Sequence, residues 1–320
     1  MILTYKIKHG RDFSVELSKA RKVANFALEH GLCSSADVKH LGLKSAISNQ
    51  VLRKYGRDKK IKKVSKVNLI VPSQSVKNDF NTSTIRIPCL GLSLSYRFYG
   101  FTKINQVEIS KDYAFVSVTV PESKSISPTS WIGIDLNTTG CCCVASNSST
   151  GKVLRMGRKA YHVHEKYRNQ RRSFQKKGKL RLVRKVKDRE SRVVRDLNHK
   201  ISRKVVSYAL KDNAGIVLED LSGVRKAKSK RSFKYFLNSW SFYQLGKFIE
   251  YKARLHGVPV VKIDPAYTSQ QCSRCGLLGK RNKKHFKCFA CGHVADADVN
   301  ASFVIGLRHR GILQLPSGKK

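Results

Sequence analysis

The stretch Ser130-Trp-Ile-Gly-Ile-Asp135-Leu-Asn137 decides how the chain is read. It is a short, mostly apolar run of the kind that forms a buried strand. It also carries a carboxylate between Ile134 and Leu136. Burying a lone carboxylate is strongly unfavourable, because the charged form loses water and gains nothing in return. An acid in this setting is expected to be paired or bound to a metal. Working outward, CCCVAS (141–146) and KVLRM (152–156) read as two further strands, separated by turn-forming Asn, Ser, Thr and Gly.

From Arg158 to Lys204 the chain holds 19 Lys/Arg against 4 Asp/Glu, in a pattern that predicts two helices broken near Gly178. In the second, Val193, Leu197, Ile201 and Val205 recur every four residues and leave the basic side chains on the other side. A solvated helix face usually mixes signs for i,i+4 pairing. One sign dominates here, which assigns Arg168, Arg171, Arg172, Lys176, Lys177, Arg181 and Arg184 to nucleic-acid phosphates. GIVLEDL (215–221) is another buried-type strand, followed by a basic loop, VRKAKSKRSFK (224–234). A helix starting at Asn238 carries Trp240, Tyr243, Leu245, Phe248 and Ile249. VPVVKID (258–264) is a strand, and ADADVNASFVIGLRHRG closes the region as a helix beginning near Asp298. With the cysteine pairs described below, the order is β-β-β-α-β-α-β-metal-α. That is the order of an RNase H-like domain, and it predicts an α/β fold with a mixed sheet covered by helices on both faces.

Three acids can meet in such a sheet: Asp135 in the first strand, Glu219 at the end of the fourth, and Asp298 at the last helix. Glu219 competes with Asp220, since neighbours on a strand face opposite ways. Asp298 competes with Asp296, which suits a cap or loop, while Asp264 and Asp212 read as a strand end and a helix end. Three converging carboxylates raise one another's pKa, a conflict that a pair of Mg²⁺ ions resolves. Mg²⁺ takes a few carboxylates plus water and phosphate, and two such ions suit hydrolysis of a phosphodiester.

Nine cysteines, an odd number with three in a row, do not form a secreted disulfide framework. Cys33 and Cys89 read as small buried residues without a role. Cys141, Cys142 and Cys143 cannot all face one metal from a strand. Cys272-Ser-Arg-Cys275-Gly and Cys288-Phe-Ala-Cys291-Gly differ: they are two knuckles 12 residues apart that offer four sulfurs. Four sulfurs fill the closed tetrahedral shell of structural Zn²⁺. The intervening GLLGKRNKKHFK is too short and basic to form a core, so metal removal is expected to melt residues 268–294.

Before residue 121 the texture alternates. Residues 1–9 read as a strand and Phe13–His30 as an amphipathic helix. A second helix is expected from a cap at Ser34-Ser35-Ala-Asp37 to Tyr55. KVNLIV, STIRIP, LSLSYRF and YAFVSVTV then read as strands. The prediction is a small β-barrel-like domain (1–12 and 60–125) with a helical insert (13–59). SKSISPTS (123–130) reads as a linker. The composition fits this plan: 320 residues with 64 Lys+Arg against 21 Asp+Glu give a net charge of +43. Such a charge repels itself unless a polyanion neutralises it. At 41% hydrophobic the chain is not disordered, and it has no apolar run of membrane length and no signal-like start.

The strings Gly133-Ile-Asp135-Leu, Leu218-Glu219-Asp220-Leu, YTSQQCSRCG (267–276), Cys288-x-x-Cys291-Gly and Asp296-Ala-Asp298-Val-Asn300-Ala resemble the TnpB family. These are RNA-guided DNA endonucleases encoded by insertion sequences and related to type V CRISPR effectors. NSWSFYQL (238–245) is similar as well. The likeness runs over about residues 130–308, and before that it is one of layout only.

It implies a RuvC-type nuclease domain (126–267 and 295–312) with Asp135, Glu219 and Asp298 as magnesium ligands. Asp298 is preferred to Asp296 because the family's acid immediately precedes the x-Asn pair. The resemblance further implies an inserted zinc ribbon (268–294) held by Cys272, Cys275, Cys288 and Cys291, and a tail at 313–320. The N-terminal part would correspond to wedge and recognition modules. The partners implied are a guide RNA from the element's own end and target double-stranded DNA, in a monomeric ribonucleoprotein of a prokaryotic cytoplasm. Guide pairing would supply specificity, the protein charge and geometry.

Asn137 stands where many relatives carry Gly, and the triple cysteine and short N-terminal region also depart from the pattern. Two other readings use the same features. One is a DNA transposase or resolvase with the same acids but no guide, although no helix-turn-helix is evident. The other is a non-catalytic RNA- or DNA-binding protein.

Overall fold

The structure, a computed structural model, describes residues 1–31, 34–57, 60–137, 140–221 and 242–316. Cys33, the basic loop at 224–234, Asn238 and Trp240 lie outside the described residues. The chain forms two compact units, Met1–Pro121 and Glu122–Lys320.

In the first unit, β1 (Ile2–Lys8), β2 (Leu69–Pro72), β6 (Lys103–Ile109) and β7 (Tyr113–Thr119) form an antiparallel sheet in the order β1-β7-β6-β2. The strands β3 (Lys77–Asp79), β4 (Thr84–Ile87) and β5 (Leu92–Ser95) form a second sheet. Among the described residues these strands pair as two separate sheets rather than as one barrel-like sheet. Pro72 ends β2, and a 3₁₀ turn at Ser73–Ser75 separates it from β3. The strand β6 has no clear sequence signature, because Asn105 and Gln106 interrupt its alternation at a bulge.

Helix α1 (Ser14–His30) forms as an amphipathic helix and buries Ala20, Val23, Ala24 and Ala27, while Val15 in its first turn is exposed. The second helix is shorter than predicted. Ser34 and Asp37 close a turn, with the Ser34 N–H donating to Asp37 Oδ2 at 2.8 Å. A 3₁₀ turn at Lys39–Leu41 then ends at Gly42 in the left-handed region, and α2 runs only from Ser45 to Tyr55. The cap residues were present but served a turn instead, as Ser and Asp side chains readily do.

In the second unit a five-stranded mixed sheet has the order β10-β9-β8-β11-β12. Its strands are β8 (Ser130–Leu136), β9 (Cys143–Asn147), β10 (Val153–Met156), β11 (Ala214–Glu219) and β12 (Val260–Ile263). The strands β8, β11 and β12 run parallel, while β9 and β10 are antiparallel. The basic region forms α3 (Arg158–Lys176) and α4 (Leu180–Lys211), broken at Gly178 as predicted. Two further helices, α5 (Phe242–Leu255) and α6 (Ala297–His309), complete the layers.

Strand alternation sorts the two faces. Ile132, Ile134, Ile216 and Leu218 join a core with Ile201, Val205, Leu245 and Ile249 of α4 and α5. Gly133 faces α6, where a Cβ would lie only 2.1 Å from Ser302 O and 2.4 Å from the Gly306 amide. That glycine lets helix backbone touch strand backbone. Residues 123–130 are not a free linker: Ser123 Oγ donates to Leu255 O at 2.6 Å, the Ile126 amide to Gly257 O at 2.8 Å, and Ser130 already belongs to β8. Among the described residues no helix is long and apolar enough to cross a membrane.

Candidate active site

Asp135 and Val217 both belong to the strand face that Gly133 shares with α6, since side chains two apart point the same way and Val217 pairs with Gly133. Glu219, two residues beyond Val217, therefore emerges beside Asp135, and Asp220 on the opposite side. Asp298 lies in the first turn of α6, buried at 3% exposure. Its neighbour Asp296 is the N-cap, accepting from the Asp298 and Val299 amides at 3.0 and 3.1 Å. The cap occupies Asp296 and leaves Asp298 to face the sheet.

Asp135 senses the charge of both other acids. Burial, then the charges of Glu219 and Asp298, push the Asp135 carboxyl up to about 8. Burial also raises Glu219, against a Thr268 hydrogen bond and the charges of Arg308 and Arg281 that lower it. Burial beside two other acids disfavours the ionised form of Asp135, a cost that a bound cation would offset.

Each acid has a side-chain partner, and of these only Asn137 was singled out in the sequence. Asn137 Nδ2 donates to Asp135 Oδ2 at 2.7 Å, and Thr268 Oγ1 to Glu219 Oε1 at 2.5 Å. Arg281 Nη2 lies 3.0 Å from Asp298 Oδ1, and Lys284 Nζ 2.5 Å from its Oδ2. Asn137 was discoverable, because it sits two positions after Asp135 and shares its side. Arg281 and Lys284 belong to a basic hairpin that reads as solvated charge.

That hairpin is built from β13 (Lys280–Asn282) and β14 (His285–Lys287), with β15 (Val294–Asp296) alongside. It joins the two cysteine pairs. The four sulfurs lie within 4.8 Å of one another, with Cys272–Cys291 at 3.7 Å and Cys275–Cys288 at 3.5 Å. These separations are far beyond the roughly 2.05 Å of a disulfide. They approach the ~3.8 Å edge of a tetrahedron with Zn–S bonds of about 2.3 Å. The cluster can hold one metal ion. Its core is small, Phe286 packing with Cys272, Cys288 and Ala297. Asn300 of α6 pins the first knuckle, donating to Gln271 O at 2.7 Å and accepting from the Ser273 amide at 3.0 Å.

The remaining sequence candidates separate by location. Cys142 and Cys143 are buried, and Cys141 is half-buried. Arg168 is ion-paired to Glu165 and Arg171 to Glu190, the latter also bonded to His164 Nδ1 at 2.8 Å. Arg172, Lys176, Lys177, Arg181 and Arg184 are exposed.

Comparison with known proteins places the chain in a family. Residues 242–305, from α5 through the cysteine hairpin into α6, match the family described as Cas12f1-like, TNB domain. The structure is similar to that of a Cas12f1–sgRNA–target DNA complex protein, with a TM-score of 0.63 at 17% identity over 92% of this chain and 82% of that one. That likeness is one of fold. In sequence, the CRISPR-associated endodeoxyribonuclease Cas12f1 of Sulfoacidibacillus thermotolerans is 30% identical over 200 residues, 57% of this chain but 46% of that protein. The chain thus spans less than half the length of this Cas12f1 relative. The TnpB-like protein MJ0751 of Methanocaldococcus jannaschii is 36% identical over 220 residues, 64% of this chain and 77% of that protein. With three quarters of such a relative covered at that identity, the chain belongs to the TnpB-like proteins.

Proposed function

We propose that this chain is an RNA-guided DNA endonuclease of a mobile element, cutting phosphodiester bonds at a RuvC-type site formed by Asp135, Glu219 and Asp298. The observation that supports it best is the meeting of these acids from β8, β11 and α6 on one side of the mixed sheet, where Glu219 and Asp298 both raise Asp135. A pair of bound Mg²⁺ ions would supply activated water and stabilise the leaving 3′ oxygen. The chain's own part is to hold the three carboxylates near one another, Asp135 and Asp298 buried and Glu219 half-buried, with Arg281 and Lys284 paired to Asp298 in the absence of ions. The sulfur spacing fits structural Zn²⁺ at Cys272, Cys275, Cys288 and Cys291. With all four positions taken by protein, that ion would hold the hairpin and take no part in the chemistry.

Partners follow from charge and kinship: a guide RNA from the element's own end against the basic surfaces, and double-stranded DNA selected by pairing with the guide. A net charge of +43 exceeds what the fold's own acids balance.

The test is to purify the protein from its host, sequence the bound RNA, and offer DNA matching that RNA. Cleavage of the matching DNA is expected, together with loss of cutting but retained RNA binding in Glu219→Gln. Absence of a discrete RNA, or cutting that survives Glu219→Gln, would refute the proposal.

A further inference from the structure

Asp135 and Glu219 each have one oxygen engaged by a neutral donor: Asn137 Nδ2 at 2.7 Å and Thr268 Oγ1 at 2.5 Å. We propose that Asn137 and Thr268 are positioning residues that each fix one oxygen of a carboxylate, so that the other is presented to a divalent cation. The inference rests on reading the three acids as the cation site.

Three observations carry it. First, both donors are held from elsewhere. The Asn137 amide donates to Cys142 O at 3.0 Å, tying it to the chain entering β9. Thr268 is 3% exposed at the entry to the first cysteine knuckle, so its hydroxyl is fixed by the packing around it. Second, the Thr268 hydroxyl has one proton and two acceptors, Glu219 Oε1 at 2.5 Å and Pro265 O at 2.9 Å. The contact to Glu219 is the shorter of the two, as expected of a carboxylate acceptor. The Pro265 carbonyl on the other side keeps the hydroxyl in place.

Third, the two donors are uncharged, unlike the cations on Asp298. Arg281 and Lys284 occupy both oxygens of that acid and compete with a metal ion for it. An amide and a hydroxyl orient a carboxylate without opposing the ion. Groups that orient metal ligands in this way typically change affinity by about 10–100-fold when removed.

The test uses the full chain with its co-purified RNA. Fe²⁺ replaces Mg²⁺, and ascorbate with hydrogen peroxide generates hydroxyl radicals that cut the polypeptide beside the bound ion. Wild-type protein should be cut near residues 135 and 219, with Mg²⁺ suppressing the cuts. Thr268→Val and Asn137→Gly should need about 10–100-fold more Fe²⁺ for the same cutting. Thr268→Ser, which keeps the hydroxyl, should stay near wild type. Circular dichroism melts establish that each variant is folded, and Asn137→Gly decides the matter if Thr268→Val is not. Half-cutting at the wild-type Fe²⁺ concentration in Thr268→Val and Asn137→Gly would overturn the assignment, as would Thr268→Ser behaving like Thr268→Val. Wild-type protein that shows no cut near either acid, or Asp135→Asn that is cut like wild type, would overturn the cation-site reading itself and the assignment with it.

Discussion

Lys284 Nζ lies 2.5 Å from Asp298 Oδ2, so the hairpin between the two cysteine pairs sets an ammonium on the acid in the first turn of α6. Asp298 is nearly inaccessible while Lys284 is 35% exposed, so water reaches the ammonium far more readily than the carboxylate. Lys284→Met should leave Arg281 on the other oxygen. The cost in cation-free protein should be about 1.5–3 kcal/mol, the usual range for a hydrogen bond to a charged group. Added Mg²⁺ should raise the melting temperature of the variant more than that of wild type, because the ion no longer displaces Lys284. Thermal melts with and without Mg²⁺ decide this.

Gly133 is where α6 rests on the sheet. Its added Cβ would strike backbone, at 2.1 Å from Ser302 O, and backbone cannot rotate aside. Gly133→Ala should therefore push α6 away and separate Asp298 from Asp135. Overpacking of this kind costs about 1–3 kcal/mol, or roughly 2–12 °C for a unit of this size. The measurements are a melting curve and DNA cutting, and cutting should fall further than stability.

Metal removal should unfold the cysteine hairpin. The only apolar side chain buried within it is Phe286, packed on Cys272, Cys288 and Ala297, far too little to offset chain entropy. Cys288→Ser or a strong chelator should raise hydrogen exchange over 268–296 while β8 and β11 stay protected. Exchange at the start of α6 should rise as well, since Lys284 O accepts from the Ala297 amide at 2.8 Å.

Protons and cations should compete at Asp135. Its carboxyl rises from 3.8 in an ordinary setting to about 8, chiefly through burial. The cation-free fold keeps a proton that the unfolded chain releases. Its stability from this group is present below 3.8 and declines as pH rises towards 8. A bound ion displaces that proton. The Mg²⁺ concentration needed to stabilise the fold should therefore increase by up to about tenfold for each pH unit below 8. Melts over a Mg²⁺ series, one pH unit to either side, give the slope.

Two neighbouring arginines should behave differently. Arg171 is paired to the buried Glu190 between α3 and α4, so Arg171→Ala should lower stability, with Glu190 left short of a partner. Arg172 is exposed, and Arg172→Ala should weaken RNA binding with little change in melting. If Arg172 contacts one phosphate, the salt dependence of RNA binding should flatten by about 0.7–0.9 in log–log slope. Filter binding across a salt series, beside melting curves, separates the two roles.

Local chemistry made much of this legible in advance. The period-2 and period-3.6 patterns located most of the strands and helices of the second unit, and the break at Gly178 followed from one residue. The Cys-x-x-Cys spacing announced a four-sulfur cluster, because a knuckle needs only its own turn to bring two thiols together. Asp135 stood out because a carboxylate between isoleucine and leucine has no cheap explanation.

Tertiary structure decided the rest. Whether Glu219 or Asp220 faces Asp135 depends on the register Val217–Gly133, a pairing between strands more than 80 residues apart. Asp296 and Asp298 look alike in sequence, and only the helix start, with Asp296 spent on its amides, parts them. Arg281 and Lys284 looked like surface charge until the hairpin folded onto Asp298. Arg171 looked like a phosphate ligand until α3 and α4 closed on Glu190. In each case the sequence by itself determined which groups are chemically able to act, since that is local. Which of them meet was settled only by packing, since an interaction energy depends on a distance that chain order does not contain.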